Sequence, residues 1–374
     1  MSVSEDLFEW AAAKGVVLNG IAPQRIPGRG IGVLATRPLK PREVILKVPL
    51  SAFHTRDTIP PQIARKLPRI TIHGLLAASI ALQAAEDDYP SAPWRAAFPS
   101  AADFESTTPF FFPEELQACL PGPARDLLKT QGDKFASDWA IVQPAFGDVV
   151  SRESYAYHWF LVNTRSFYHV TPSTRALPPS DRMVMISVAD LLNHAPEGCK
   201  ETFSSAGLSI TTDRAYAEGE EVYICYGRHS NDFLLAEYGF VPDGNTWDEI
   251  SLDEVIEPRI DARGRKILED LRFWGRYRLD ENTAGCYRSQ VALRIACGAG
   301  WRAFVDGWET GDEVQKKVDA FLKEILSEYL GTIEERIGEV EGATTGTKEQ
   351  KEAVVRRWVQ VGDLVARTIE KLAT

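Results

Sequence analysis

The stretch from Ile186 to Phe240 constrains this chain most, because polar residues that can do chemistry are concentrated there between short apolar runs. In the segment ISVADLLNH, Asn193 and His194 close an apolar run, and in the segment GEEVYICYG a β-rich run leads into Tyr226. Runs rich in β-branched and aromatic residues, bounded by glycine and charged residues, predict short strands. We therefore expect these three polar side chains to lie where strands end.

The chain before this stretch predicts a β-rich start followed by helices. Residues 5–14 favour a short helix, and residues 16–53 alternate β-forming residues with glycine and proline, which predicts two or three strands. Residues 73–85 are rich in Ala and Leu on most faces and predict a buried helix, and residues 155–167 predict a helix with Arg165 near its end.

Beyond Asn245 the sequence predicts a separate helical domain, because apolar residues recur there every three or four positions. Such stripes form core faces of helices and do not indicate a cofactor-binding sequence. One stripe comprises Val314, Val318, Phe321, Leu322, Ile325, Tyr329, Ile333 and Ile337, and the other comprises Val354, Trp358, Val361, Val365, Ile369 and Leu372.

The charge and cysteine content narrow the class of protein. A formal net charge of -11 and a pI near 5.2 argue against nucleic-acid binding, which needs a positive field to displace counterions, and suit a basic partner. No apolar run approaches the roughly 20 residues of a membrane span, and the acidic first residues lack the basic flank of a signal peptide. The odd number of cysteines, without a CxxC pair, predicts reduced thiols: Cys119, Cys199, Cys225, Cys286 and Cys297.

The glycine-rich loop from Gly28 to Gly32 does not fit a dinucleotide-binding fold, because the strand-like segment VLAT follows it where such a fold requires a helix. Two interpretations remain. The loop is either an ordinary hairpin turn or a place where backbone groups closely approach a ligand.

Taken together, the segments RGIGVLAT, ADLLNH, GEEVYICYG and NDFLLAEYGF resemble the SET-domain methyltransferases, and their order resembles the plant Rubisco large-subunit methyltransferase branch. The segments SAPWRAAFP and TPFFFPEEL resemble the same branch. The resemblance implies an α+β fold, with a knotted β-rich SET core split by a helical insertion and an all-α C-terminal domain. The implied parts are residues 1–60 and 151–244 for the SET core, 61–150 for the insertion and 245–374 for a substrate-binding domain.

The resemblance also implies S-adenosylmethionine as methyl donor. It places the loop formed by Arg29, Gly30, Ile31 and Gly32 against the donor's amino-acid end through backbone groups. It places Arg165 near the donor's carboxylate, which the guanidinium fork suits. On sequence alone, Arg165 is equally a solvated helix end.

Further donor-binding residues implied by the resemblance are Asp190, Asn193 and His194. The Asn-His pair lies beside the donor's amino group and adenine in that family. Without the resemblance, His194 reads as a core or capping histidine. Cys199 and Cys225 lack clustered partners at ligand spacing, so we predict no metal.

Tyr226 matches the tyrosine whose hydroxyl orients the attacking amine in this family, and it is the catalytic residue that the resemblance implies. A lysine with a pKa near 10.4 must be deprotonated before it attacks, which burial in an apolar channel favours. Tyr238 and Phe240 resemble the aromatic wall of the donor pocket and acceptor channel. Phe203 is a substrate-binding candidate, because no tyrosine lies between His194 and Tyr216, where close relatives carry one.

The sequence thus predicts an S-adenosylmethionine-dependent N-methyltransferase for a lysine of a non-histone protein. A histidine or a small-molecule amine remains an alternative acceptor, and a catalytically silent SET-fold binding module is a further alternative. Retention of Arg165, Asn193, His194 and Tyr226 together argues against the silent module. We expect a monomer in the cytoplasm or nucleus that binds a basic protein, and neither nucleic acid nor a membrane.

Overall fold

The computed structural model describes residues 5–26, 29–85, 92–308 and 311–373. Two compact units divide the chain. Unit 1 comprises residues 1–105 and 130–228, and unit 2 comprises residues 106–129 and 229–374. In this division, the segments 106–129 and 229–244 fall in the same unit as the C-terminal helices. The sequence placed them in the insertion and in the SET core, and those bounds stay a prediction.

The described residues form twelve strands and fifteen α-helices. The strands are β1 Val17–Leu18, β2 Ile21–Ile26, β3 Gly30–Ala35, β4 Val44–Pro49, β5 Phe53–His54, β6 Ser166–Tyr168, β7 Met183–Ile186, β8 Asn193–Ser204, β9 Gly207–Thr211, β10 Glu221–Ile224, β11 Glu249–Ser251 and β12 Arg278–Asp280. The helices are α1 Glu5–Ala13, α2 Pro61–Lys66, α3 Ile72–Ala84, α4 Ala92–Arg95, α5 Ala101–Thr107, α6 Glu114–Ala118, α7 Gly122–Phe146, α8 Arg152–Arg165, α9 Asn231–Tyr238, α10 Asp253–Ile256, α11 Ala262–Asp270, α12 Tyr287–Ala296, α13 Trp301–Val305, α14 Asp312–Gly342 and α15 Lys348–Lys371.

A seven-stranded sheet in the order β1-β4-β9-β8-β10-β3-β2 organises unit 1. A separate three-stranded sheet has the order β5-β7-β6. Neighbouring strands of the large sheet are antiparallel except β8 and β10, which run parallel. Along that parallel pair, Asn193 lies opposite Tyr223, and Cys199 lies opposite Ile224. The residues between Asn193 and Cys199 therefore bulge out of the ladder, which turns their side chains away from regular pairing.

Three helices of unit 1, namely α1, α3 and α8, were predicted from sequence and are confirmed within a few residues. α3 is buried on nearly all faces, and its first turn is capped by the Thr71 hydroxyl, which accepts a hydrogen bond from the Gly74 amide at 2.9 Å. α8 starts at a Ser151 cap and buries Tyr155, Trp159 and most of its other apolar residues. The backbone becomes extended at Ser166, so α8 ends with Arg165 in its last turn.

Unit 2 is built around α14 and α15, which pack against each other. The two predicted stripes form much of this core. Fully buried side chains include Val318, Leu322 and Ile325 on α14 and Val354, Trp358 and Val365 on α15. Residues 112–124 contribute to the same core through Phe112, Leu116 and Leu120.

The α+β fold class is confirmed, with two corrections. Residues 16–53 form five strands, where two or three were predicted, because β1 and β5 are each only two residues long. The C-terminal region is not wholly helical, since β11 and β12 pair in a small antiparallel sheet. Within the described ranges, no helix is both long enough and apolar enough to cross a bilayer.

Candidate active site

The segment 190–194 is the centre of the candidate site in unit 1, because its residues contact α8, β3, β10 and the segment after β10. It begins with a short 3-10 helix, Ala189–Leu191, and continues into β8. The residue before this helix, Val188, is buried and has φ 70°, a conformation that β-branched residues rarely adopt. The surrounding packing therefore holds the entry to the segment in one unusual backbone geometry.

Asp190 and Arg165 form a buried polar group with Trp94. Arg165 donates a hydrogen bond through Nη1 to the backbone carbonyl of Asp190, and Trp94 Nε1 donates to Asp190 Oδ2 at 3.0 Å. Arg165 Nε and Asp190 Oδ1 are both buried without a hydrogen-bond partner among the described residues. Buried polar atoms are nearly always paired. An unpaired N–H donor and an unpaired acceptor in one site therefore suit a ligand that has both an anionic and a cationic group.

The ionisation of Asp190 is tuned by its surroundings. Burial raises the pKa of Asp190 to about 6, while the charge of Arg165 and the hydrogen bond from Trp94 act in the opposite direction. A carboxylate in this state favours a cationic ligand, because a nearby positive charge offsets the cost of its desolvation.

Asn193 is held by two acceptors from neighbouring strands. Its Nδ2 donates to Glu221 Oε1 at 2.8 Å and to the carbonyl of Ile31 at 3.3 Å. The other oxygen of the same carboxylate, Glu221 Oε2, accepts from the Tyr223 hydroxyl at 2.7 Å and from Arg29. Glu221 thus links the first residue of β8 to β3 and β10.

The first residues of β3 lie close to the side chains of Glu221 and Asn193. Ile26 and Gly30 are paired in an antiparallel β2–β3 hairpin, and Gly30 has φ 76°. A Cβ on Gly32 would lie 2.5 Å from Glu221 Oε1 and 3.0 Å from Asn193 Nδ2, so a larger residue there would displace these two side chains. The segment is therefore a hairpin, and it is also a place of close approach, although the approaching groups belong to the protein. Gly28 lies outside the described residues.

His194 and Tyr226 contact each other through the bulge in β8. The Tyr226 amide donates to His194 Nδ1 at 3.0 Å, and the two ring centroids are 5.2 Å apart. Because Nδ1 accepts, a neutral His194 carries its proton on Nε2. The Tyr226 hydroxyl donates to the carbonyl of Leu192 at 2.7 Å. Its oxygen therefore keeps lone pairs that can accept from an N–H group.

Three further predicted site residues pack against other aromatic rings. Phe203 on β8 stacks on His169 with ring centroids 4.8 Å apart and meets the edge of Phe53 at 6.4 Å. Tyr238 and Phe240 belong to unit 2, where their ring centroids are 6.2 Å apart. Burial raises the pKa of Tyr238 to about 12.

The thiol of Cys199 lies beside two polar side chains of unit 1. Its Sγ lies 3.6 Å from the Tyr216 hydroxyl and 3.5 Å from Asp213 Oδ1, and burial raises the pKa of the thiol to about 11. A protonated thiol is a poor metal ligand. No group of three or more His, Cys, Asp or Glu side chains within the described part of the chain is arranged to hold a metal ion.

The pattern that defines the SET domain matches residues 30–227, which is more than half of the chain. The chain belongs to the SET-domain family. A second pattern, described as the Ribosomal lysine N-methyltransferase 2 C-terminal domain, matches residues 248–371. The predicted resemblance is thereby confirmed.

Individual relatives match this SET-domain protein over different lengths. It is 25% identical over 359 residues to Ribosomal lysine N-methyltransferase set11 of Schizosaccharomyces pombe, covering 92% of this chain and 91% of that one. It is 30% identical over 204 residues to Ribosomal lysine N-methyltransferase 2 of Saccharomyces cerevisiae, covering 47% of this chain and 42% of that one. A structure of Rubisco LSMT bound to sinefungin and monomethyllysine matches with a TM-score of 0.64 and 15% identity, covering 98% and 92% of the two chains.

The sequence reasoning missed Glu221, Tyr223 and Trp94 as site residues of this SET-domain protein. Each contacts a predicted residue that is distant along the chain. Glu221 contacts Asn193, Tyr223 contacts Arg29, and Trp94 contacts Asp190. The available signal for Glu221 was an acidic residue placed at the start of an otherwise apolar strand. A buried charge at such a position requires partners, and this requirement singles it out.

Proposed function

We propose that this SET-domain protein is an S-adenosylmethionine-dependent N-methyltransferase that modifies a lysine side chain of a non-histone protein, and that the substrate is a ribosomal protein. Set11, which is named a ribosomal lysine methyltransferase, matches nearly the whole length of both chains and supports this class of acceptor. Ribosomal proteins are commonly basic, which suits a chain with a net charge of -11. Action in the cytoplasm or nucleus is part of the proposal.

The observation that carries the proposal is the pair of buried, unpaired groups on Arg165 and Asp190. The amino-acid end of the methyl donor carries a carboxylate and an ammonium group, and these are the charges that an arginine N–H and an aspartate oxygen bind. Asn193 and His194 follow directly in the same segment and supply further polar contacts. Arg165, Asp190, Asn193 and His194 are therefore the residues that we propose to hold the donor.

S-adenosylmethionine carries its methyl group on a positively charged sulfur. When a nitrogen lone pair attacks the methyl carbon, the carbon–sulfur bond breaks and the sulfur leaves with its electron pair. The protein then has to align the amine and keep it neutral, because a protonated lysine has no lone pair. Tyr226 fits the alignment step. Its hydroxyl proton points to the Leu192 carbonyl, so its oxygen accepts an N–H of the amine and directs the lone pair away from that bond.

The proposal is tested by incubating the purified chain with isotopically labelled S-adenosylmethionine and ribosomal proteins, and by locating the label with mass spectrometry. We expect the label on a lysine. Tyr226→Phe keeps the ring and removes the hydroxyl, and should lower single-turnover methyl transfer by about 10²–10³-fold. Its affinity for S-adenosylhomocysteine, measured by calorimetry, should change much less.

The same assay separates the alternatives. Label on histidine alone would replace the lysine assignment. Binding of S-adenosylhomocysteine without transfer to any protein or small amine would identify a silent binding module. No heat with millimolar S-adenosylhomocysteine would refute the donor assignment itself.

A further inference from the structure

The side-chain amide of Asn193 has a defined orientation, which follows from the chemistry of its neighbours. One end of the amide faces Glu221 Oε1 at 2.8 Å and the Ile31 carbonyl at 3.3 Å. A carbonyl oxygen and an ionised carboxylate can only accept hydrogen bonds, because neither carries a hydrogen to donate. The end that faces them must therefore be the NH₂ group, and the reversed orientation would set oxygen against two oxygens. Asn193 Oδ1 consequently points away from both and is left as an acceptor for another donor.

Glu221 is itself held in place, so it can impose this orientation. Its side chain is only 7% exposed, and its second oxygen accepts from the Tyr223 hydroxyl at 2.7 Å. Arg29 also donates to that oxygen and lies 3.3 Å from the Tyr223 hydroxyl. With both oxygens engaged, the carboxylate cannot rotate without losing a hydrogen bond on each side.

An alternative role for Glu221 is simple stabilisation through its ion pair with Arg29. The Arg29 side chain is 54% exposed, and an ion pair with so exposed a partner contributes little, about 0–1 kcal/mol. An exposed pair also does not require a buried carboxylate that contacts an asparagine on the neighbouring strand. The contact with Asn193 accounts for both the burial and the position of Glu221.

We propose that Glu221 is a positioning residue for the methyl donor, which it serves by orienting Asn193 so that Oδ1 is presented to the donor's ammonium group. Tyr223 and Arg29 keep Glu221 in place, and Gly32 leaves the space that the carboxylate and amide occupy. This inference rests on the proposed donor, and it adds a residue outside the segment 190–194 to the residues that determine donor affinity.

The test is a reversal of polarity across the Glu221–Asn193 contact. Glu221→Gln no longer distinguishes the two ends of the Asn193 amide and should weaken S-adenosylhomocysteine binding by about 10-fold. Asn193→Asp sets two carboxylates against each other and should weaken it at least as much. In the double variant Glu221→Gln/Asn193→Asp, the glutamine NH₂ donates to one aspartate oxygen and the other oxygen accepts from the ammonium. The Ile31 carbonyl loses its donor in both variants that carry Asn193→Asp, so the double variant should bind more tightly than Asn193→Asp and to within about 10-fold of the original chain.

Calorimetry with S-adenosylhomocysteine gives the affinities, and thermal unfolding without ligand reports stability separately. Glu220→Gln is the matched control, because it removes one carboxylate charge at the residue next to Glu221. The Glu220 side chain pairs with Arg214 at 2.6 Å. It should leave the affinity unchanged. Tyr223→Phe is a milder variant that keeps the Glu221 carboxylate and removes one of its donors, and it should weaken binding by about 3-fold.

Recovery of affinity in the double variant supports the positioning role, since a purely stabilising role gives additive losses. Additive losses, or Glu221→Gln binding as tightly as the original chain, would overturn the inference while leaving the proposed function intact. If the double variant is unstable without ligand, wild-type affinity in Tyr223→Phe would overturn it as well. Absence of binding to the original chain would overturn both.

Discussion

At the residue scale, Asp190 is the side chain whose ionisation is most informative. Its carboxyl group is buried among Arg165 from α8, Trp94 from α4 and the backbone around Val188. Burial raises its pKa from 3.8 to about 6, despite the nearby positive charge of Arg165. The folded chain therefore holds this proton more tightly than the unfolded chain does, and ionisation of Asp190 costs stability.

The sign of the pH dependence follows from proton binding. Between about pH 4 and pH 6 the folded state binds more protons at Asp190 than the unfolded state, so this group's contribution to the free energy of unfolding falls as the pH rises. Asp190→Asn removes the titration. We expect the free energy of unfolding of the original chain, minus that of Asp190→Asn, to fall between about pH 4 and pH 7 in denaturant titrations without ligand. A difference that is constant with pH would mean that Asp190 ionises as freely as an exposed aspartate.

Sequence reasoning identified the residues of the segment 190–194 through the resemblance to the SET-domain family, and Asn193 and His194 also stand out locally because they close an apolar run. It did not identify Glu221, whose role is defined by a hydrogen bond to a residue 28 positions earlier. An acidic residue at the start of a strand is usually solvated, and the hydrogen bond to Asn193 across the β8–β10 pair shows what a buried one is for.

At the scale of elements, β3 and the bulge in β8 determine where the site residues point. The bulge lets Asn193 remain opposite Tyr223 while His194 leaves the ladder and accepts from the Tyr226 amide. Long helices with clear periodicity, such as α3 and α14, were predicted well. Strands of two residues, such as β1 and β5, give no periodic signal, and their number was wrong for that reason.

The two glycines of β3 allow a matched test of this element. In Gly32→Ala the new methyl group would lie 2.5 Å from both Glu221 Oε1 and Ile26 Cδ1, so we expect a loss of about 1–3 kcal/mol in stability and a marked loss of S-adenosylhomocysteine affinity. Gly30→Ala is the control, because its methyl group meets no atom within 4 Å and costs only about 1–2 kcal/mol for the left-handed backbone. Denaturant titration and calorimetry measure both effects. Equal donor affinity in the two variants would contradict the role of Gly32 in admitting Glu221 and Asn193.

At the scale of the whole molecule, unit 2 is discontinuous in sequence. Residues 106–129 are separated from the rest of it by residues 130–228, yet Trp358 Nε1 donates to the Cys119 carbonyl at 2.7 Å, and Thr345 Oγ1 donates to Glu115 at 2.6 Å. Sequence reasoning placed the domain boundary at Asn245 because helical periodicity becomes continuous there. Long-range packing of an earlier segment leaves no such mark, since its proline-broken apolar pattern is equally compatible with either unit.

A buried ion-pair network also connects the ends of unit 2. Arg357 on α15 is fully buried, with Nε 2.7 Å from Asp232 Oδ1 on α9 and Nη1 2.7 Å from Asp248 Oδ2. Removing one partner of a buried pair leaves uncompensated charge and typically costs about 3–5 kcal/mol. A chain that ends near Asn245 keeps Asp232 and loses the arginine that neutralises it.

Truncation after residue 244 should therefore not yield a clean deletion of a domain. We expect the shortened chain to expose the apolar side chains of Phe112, Leu116 and Leu120, to aggregate more readily, and to be cleaved by proteases within residues 106–129. Limited proteolysis followed by mass spectrometry measures this, with the full-length chain protected in the same segment. Trp358→Phe in the full-length chain is the control, because it removes the hydrogen bond to Cys119 and part of a buried ring but keeps α14 and α15, should cost about 1–3 kcal/mol, and should keep the segment protected. A soluble shortened chain with residues 106–129 still protected would show that this segment folds with unit 1, and that the helices after Asn245 form a domain by themselves.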